Sequence, residues 1–306
     1  MKLNPTPYVW MDGELVPWPE AKVHVLTPSL HYGWAVYEGI RCYATPKGTA
    51  VFRLSTHLKR LRNSARVYLM DVKWSDAELA NAVRALIQSN DLDSCYVRPI
   101  VYLGYGSMGV APDLSSVRVS IAAWKWDSYL GAQAESGGCR LVTSAWRRNA
   151  PESVPATAKA TGAYVNSSLA KVGALRAGYD DALMLSLHGH VAESSASNVF
   201  MVVDGVLVTP PISDGILPGI TRNSVITLAR DLGHRVEERS FGLSEIHVAD
   251  EVFLTGTAME IMPVVSVDDR PMTHGTDGPV SKSLIESFRS VVSGRSVQYR
   301  EWLSFV

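Results

Sequence analysis

Apolar residues alternate with polar ones in some stretches and recur every three or four positions in others, which predicts intermixed strands and helices. Residues 8–11 and 15–18 flank Asp12-Gly13, a hairpin signal. Residues 50–54 predict a strand, after which Ser55 predicts the cap of a helix carrying Leu58, Leu61, Ala65 and Tyr68 on one face. Ser75 starts the next helix, Glu78 completes a capping box, and Leu79, Val83, Leu86 and Ile87 form the apolar stripe. Residues 95–103 and 117–124 are rich in β-branched side chains and predict buried strands. Residues 127–138 have no sustained period and hold Gly131, Gly137 and Gly138, which predicts a linker. Beyond it the pattern predicts strands at 140–146, 182–186, 199–203, 206–208, 235–240, 251–254 and 264–267. Helices are predicted at 164–177, with Gly178 as its C′ residue, at 221–232, ended by Gly233, and at 280–292.

A chain of 306 residues suggests two domains or one large one. With 46% apolar and 19% charged residues it can bury a large core, which excludes global disorder. Its 29 basic and 30 acidic residues nearly cancel, so neither nucleic acid nor a membrane surface is expected as a partner. No apolar run is long enough to span a bilayer, and Pro5 and Pro7 interrupt the first residues where a signal peptide would need an apolar stretch. Cys42, Cys95 and Cys139 are an odd number without close spacing, which argues against a disulfide framework and fits the cytoplasm.

Several local patterns invite chemistry. Gly104-Tyr-Gly106-Ser-Met-Gly109 follows a strand as a dinucleotide fingerprint would, but Pro112 and the strand at 117 leave no room for the helix that must receive the pyrophosphate. His188-Gly-His190 with Glu193 lacks a third ligand at metal spacing and is favoured as a solvated turn, so no metal is expected. No Gly-x-Ser-x-Gly elbow supports a serine hydrolase. Lys159 lies within small residues at 156–162, where a bulky group could approach its amine and desolvation would lower its pKa, as a Schiff-base lysine needs. Glu193 precedes a small-residue loop ending at Asn198-Val-Phe200, and the carboxylate could face a basic ring nitrogen. Pro218-Gly219-Ile220-Thr221 opens a helix and offers a phosphate seat, although capping by Thr221 would explain the same residues.

Taken together, Glu193, Ser195, Asn198, Val199, Phe200, Leu207, Thr209, Leu217, Gly219, Ile220 and Arg222 resemble the signature of the class IV, or fold-type IV, aminotransferases along its length. Within that family the chain most resembles the branched-chain amino acid aminotransferases. The narrower likeness lies in Leu30-His-Tyr32-Gly33, Tyr37-Glu-Gly39-Ile-Arg41, Tyr96-Val-Arg98-Pro99, Met108-Gly-Val110 and His57-Leu-Lys-Arg60. The resemblance implies an α/β (α+β type) fold, with a small N-terminal α/β domain at 1–126, the linker at 127–138, and a larger domain at 139–306 built on a curved pseudo-barrel sheet. It implies pyridoxal 5'-phosphate held as an aldimine on Lys159, which then acts as the acid–base group. It places Glu193 on the pyridine nitrogen with Asn198 orienting it, Tyr164 on the phenolic oxygen and Leu217 on the ring face. Arg60, the Ile220 and Thr221 backbone and Thr257 would bind the phosphate, with Gly219 also in contact with the cofactor.

The resemblance further implies that Tyr96, Thr257 and Ala258 hold the substrate α-carboxylate. Arg98 would receive the second carboxylate of glutamate. Tyr32, Tyr37, Gly39, Met108, Val110, Trp126 and Tyr129 would line the pocket. The expected reaction is ping-pong transamination between an L-amino acid with an apolar side chain and 2-oxoglutarate, in a homodimer or larger homo-oligomer. D-amino acid or (R)-amine transamination, or aminodeoxychorismate lysis, are the alternatives on the same fold. Tyr37 stands where the family usually has Phe, and Trp34 where it has a small residue, so a shifted side-chain range is also expected.

Overall fold

The computed structural model describes residues 3–126 and 138–306. The chain divides into two compact units. The first comprises Met1–Asp127, Ala158–Gly162 and Val291–Val306, and the second Ser128–Thr157 and Ala163–Ser290. The domain boundaries expected from sequence put residues 158–162 and 291–306 in the second domain. Backbone pairing places them in the first: Val36 bridges Ala160, and Leu303–Phe305 pairs with residues 50–52.

In the first unit, strands β1 (Tyr8–Met11), β2 (Glu14–Pro17), β3 (Ala35–Tyr37), β4 (Ile40–Thr45), β5 (Gly48–Phe52), β6 (Cys95–Leu103) and β7 (Val117–Lys125) form an antiparallel sheet with the last strand of the chain. The predicted hairpin is present, with Asp12 and Gly13 both at positive φ. A short helix α1 (Pro28–Tyr32) precedes β3. Two longer ones follow, α2 (Leu54–Val67) and α3 (Asp76–Ser89). Leu58, Leu61 and Ala65 of α2 and Leu79, Val83, Leu86 and Ile87 of α3 are buried, as their spacing predicts. Ser75 and Glu78 form the capping box at the head of α3. Ser55, by contrast, does not cap α2. Arg53 takes the N-cap position in a left-handed conformation, its N–H donating to the Trp302 carbonyl, and Ser55 lies inside the first turn.

The second unit holds β8 (Cys139–Thr143), α4 (Tyr164–Arg176), β9 (Asp181–Leu185), β10 (Val191–Ser194), β11 (Asn198–Val203) and β12 (Val206–Thr209). It continues with α5 (Ile220–Asp231), β13 (Val236–Glu238), α6 (Leu243–Val248), β14 (Glu251–Gly256), β15 (Glu260–Val267) and β16 (Arg270–Pro271). Helix α7 (Pro279–Val292) comes last. Six strands close on themselves in the order β10-β9-β8-β15-β14-β11, because β11 also pairs with β10. Leu141, Leu183, Val199, Met201, Leu254 and Val264 share one buried cluster. Phe200 and Phe253 are register partners and stack with ring centroids 5.1 Å apart. Both faces of this sheet are covered, which explains why β11 reads as a continuous apolar run. Among the described residues no helix is long and apolar enough to cross a membrane.

Candidate active site

Lys159 is fixed through its backbone. Its N–H donates to Ser64 Oγ at 3.0 Å, and its carbonyl accepts the Tyr37 N–H at 3.0 Å. These bonds carry the lysine on α2 and β3 and leave its side chain outside the ladder. Its Nζ lies 5.0 Å from the centroid of the Tyr37 ring. The Arg98 guanidinium carbon lies 4.7 Å from the same ring, 5.3 Å from the Tyr96 ring and 5.9 Å from the Trp124 ring. Tyr96 stacks on Trp126 at 4.6 Å. The first unit therefore gathers two cations among four aromatic rings, an arrangement that keeps charge in an apolar setting by cation–π attraction. Alternation along β6 puts Tyr96 and Arg98 on one face of the strand. Gly39 makes room for Tyr96: a Cβ there would overlap its hydroxyl.

Beneath this cluster lies a buried charged group. Both oxygens of Glu38 engage Arg60, Oε1 accepting from Nε at 2.6 Å and Oε2 from Nη2 at 2.9 Å. His57 Nδ1 lies 2.7 Å from the same Oε2. Burial would raise the Glu38 pKa, but Arg60 and His57 overcome it and hold the carboxyl well below the usual range. Burial pushes His57 down; Glu38 opposes this, while the charges of Arg60 and Lys159 add to it. His57 is thus neutral and donates its Nδ1–H to an ionised Glu38. His57, Arg60 and Ser64 lie at helical spacing along α2, so one face of it anchors Glu38 and the Lys159 backbone together.

The second unit carries the other predicted residues. Glu193 on β10 faces Asn198 on β11 across the hairpin. An irregularity between Val191 and Glu193 in the pairing with β9 re-aims the strand at this point. Glu193 Oε1 lies 2.9 Å from Arg148 Nη2. Its Oε2 accepts Asn198 Nδ2–H at 3.0 Å and the Leu217 N–H at 3.2 Å. Asn198 also donates to the Leu217 carbonyl at 2.9 Å, tying the carboxylate to the loop before α5. That loop ends at Gly219, where a Cβ would overlap Asn198 Oδ1. Gly219 is the N-cap of α5, and no side chain caps this helix. Thr221 does not cap it, contrary to that alternative, because it lies within the first turn. The first amides of α5, among them those of Ile220 and Thr221, are thus left for an anion. Thr257 and Ala258 lie in the turn between β14 and β15, and Tyr164 is the first residue of α4.

Other expected residues stand differently. Tyr32, Met108 and Val110 are exposed at the surface of the first unit. Tyr129 lies outside the described residues. Of the two departures, Tyr37 borders the lysine, and Trp34 packs edge-on against Tyr68 at 5.7 Å. His190 lies 3.5 Å from Asp214, and Gly189 beside it turns the chain at φ +83°. Reasoning from sequence missed Glu38, Ser64, Trp124 and Arg148. Two basic side chains at 57 and 60 on an otherwise apolar helix face do signal that a buried acid must meet them.

The Amino-transferase class IV family model matches residues 35–267. The branched-chain-amino-acid aminotransferase of Salmonella typhimurium is 44% identical over 297 residues, 97% of this chain and 96% of that protein. A crystal structure of the Escherichia coli branched-chain amino acid aminotransferase superposes with a TM-score of 0.96 at 43% identity, covering 98% of this chain and 99% of the other. The branched-chain amino acid aminotransferase from Thermobaculum terrenum, in its PLP-form, gives 0.91 at 37% identity and covers 98% of each chain. The chain belongs to the class IV aminotransferases, which are pyridoxal 5'-phosphate enzymes of fold type IV.

Proposed function

We propose that this chain transfers the amino group between branched-chain L-amino acids and 2-oxoglutarate. One observation carries the choice of substrates: Lys159 Nζ and the Arg98 guanidinium border the same Tyr37 ring, within a cluster of aromatic side chains. An apolar side chain suits the rings, and a second carboxylate suits the Arg98 guanidinium among them.

The donor set fits pyridoxal 5'-phosphate. The uncapped amides of α5 suit a phosphate, and the buried Glu193 carboxylate suits a protonated ring nitrogen. When bound, the cofactor supplies an aldehyde conjugated to an electron-accepting ring. The rest of the work falls to the chain. Lys159 Nζ would take the proton from the substrate Cα and deliver it to the cofactor carbon that carried the aldehyde oxygen. Glu193, paired with Arg148 at 2.9 Å, would face the ring nitrogen and favour its protonated form. Asn198 and the Leu217 N–H fix the orientation of that carboxylate. Tyr164 donates to the phenolic oxygen, and Leu217 packs on the ring. Arg60, Ile220, Thr221 and Thr257 bind the phosphate. Tyr96, Thr257 and Ala258 hold the α-carboxylate, and the aromatic wall, with Gly39 beside it, excludes water from the side chain.

The enzyme works in the cytoplasm as a homodimer or larger homo-oligomer. All three cysteines are free and buried, as suits a reducing compartment. Val25, Leu30, Tyr32, Tyr105, Met108 and Val110 are exposed apolar side chains of the first unit, which suits a surface that meets another copy. The test is a visible spectrum of the cofactor-loaded protein before and after single additions of L-leucine, L-glutamate and D-alanine. Bleaching of the long-wavelength band by the first two is expected. A response to D-alanine with none to L-leucine would overturn the assignment.

A further inference from the structure

Glu38 has no part in the reaction as described, yet it is the most completely buried carboxylate near Lys159. It meets Arg60 side-on, through Nε and Nη2. This bidentate grip fixes the plane of the guanidinium and turns Nη1 away from the carboxylate. His57 adds a third bond at 2.7 Å and the Gly39 N–H a fourth at 3.3 Å, so the carboxylate itself cannot rotate. The Arg60 side chain, normally rich in rotamers, is thereby set in one orientation before any ligand arrives.

We propose that Glu38 is a positioning residue that preorganises Arg60 for a phosphate monoester, and so sets the preference for the phosphorylated over the unphosphorylated form of the cofactor. This role depends on Arg60 being the phosphate-binding residue of the proposed function. Its sign is not obvious, because a carboxylate also repels phosphate. Preorganisation prevails here because the Glu38 charge faces Arg60 and His57, both of which hydrogen-bond to it, while an arginine left to find its own geometry must lose its rotameric freedom on binding.

The experiment measures dissociation constants of pyridoxal 5'-phosphate and of pyridoxal for the apoenzyme, by fluorescence, in the parent protein and in Glu38→Gln, Glu38→Asp and Arg60→Gln. In Glu38→Gln the affinity for pyridoxal 5'-phosphate should fall roughly threefold to tenfold, the cost of ordering one long side chain at binding, while that for pyridoxal stays within about twofold. Glu38→Asp keeps the charge but shortens the reach, and should show the same selective loss if the Gln variant does not fold. Equal loss for both ligands would make Glu38 merely structural and overturn the proposal. Selective loss in Arg60→Gln with none in either Glu38 variant would overturn the role of Glu38 alone. No selective loss in any variant would overturn the phosphate role of Arg60 together with it.

Discussion

Arg148 and Glu193 form an ion pair at 2.9 Å with each side chain less than a tenth exposed. Arg148 also donates to Ser167 Oγ and to the Gly215 carbonyl, so it is anchored independently of the carboxylate. Replacing Arg148 by Met leaves Glu193 buried without its counter-charge, and the expected loss of stability is about 3–5 kcal/mol. Urea denaturation of the apoenzyme measures it. A loss below about 1 kcal/mol would show the pair to be solvated.

Lys159→Ala should fold normally, because the bonds that hold position 159 come from its backbone. Turnover should fall by about ten-thousand-fold, the upper range for removing an acid–base group. Single-turnover absorbance with L-leucine checks this, and circular dichroism confirms the fold.

Arg98→Met removes the cation but keeps the length of the side chain. kcat/KM for L-glutamate should drop roughly 10- to 100-fold, as for a lost charged hydrogen bond, with L-leucine within about threefold. Tyr37→Phe keeps the ring face that Arg98 and Lys159 border. It should leave L-glutamate unchanged, and any change should fall on amino acids with polar side chains. Steady-state kinetics over a panel of amino acids tests both variants.

Gly39→Ala drives a methyl group into the Tyr96 hydroxyl, and Tyr96 is packed against Trp124 and Trp126. The ring has little space to yield. A stability loss of about 1–3 kcal/mol is expected, as for other overpacked sites. A raised KM should accompany it. Thermal unfolding and steady-state assays measure the two effects.

Acid should destabilise the first unit through Glu38 and His57 together. The folded pKa of Glu38 is depressed, so its contribution is complete above the unfolded value of about 4.3 and is lost as pH falls toward the folded one. His57 is depressed as well, so folding binds it neutral and stability declines below its unfolded value of about 6.5. Urea midpoints should fall in the parent protein from pH 7 to pH 2.5, less steeply in His57→Asn between pH 7 and pH 5 and less steeply in Glu38→Gln below about pH 4.5.

Local chemistry is legible in the sequence and long-range pairing is not. Ser75 and Glu78 declare a helix start three residues apart, and Gly178 a helix end. Ser55 resembles a cap for the same local reason. It fails because Arg53 is held by Trp302, which lies near the far end of the chain. Lys159 stands out by its small neighbours, but nothing nearby foretells that residues 158–162 pair with β3. Glu38 stays hidden because its partner Arg60 is 22 positions away on a different element. The roles drawn from resemblance for Glu193, Asn198 and Leu217 concern residues the structure joins by hydrogen bonds.

The five residues around Lys159 and the strand Leu303–Phe305 both join a unit whose other strands come from the first 125 residues. A nascent chain therefore makes most of the first unit early but completes its sheet only once Leu303–Phe305 has followed the whole of the second unit. The second unit, by contrast, ends at Ser290. The unit that begins first is completed last, and until then its β5 edge has no strand to pair with.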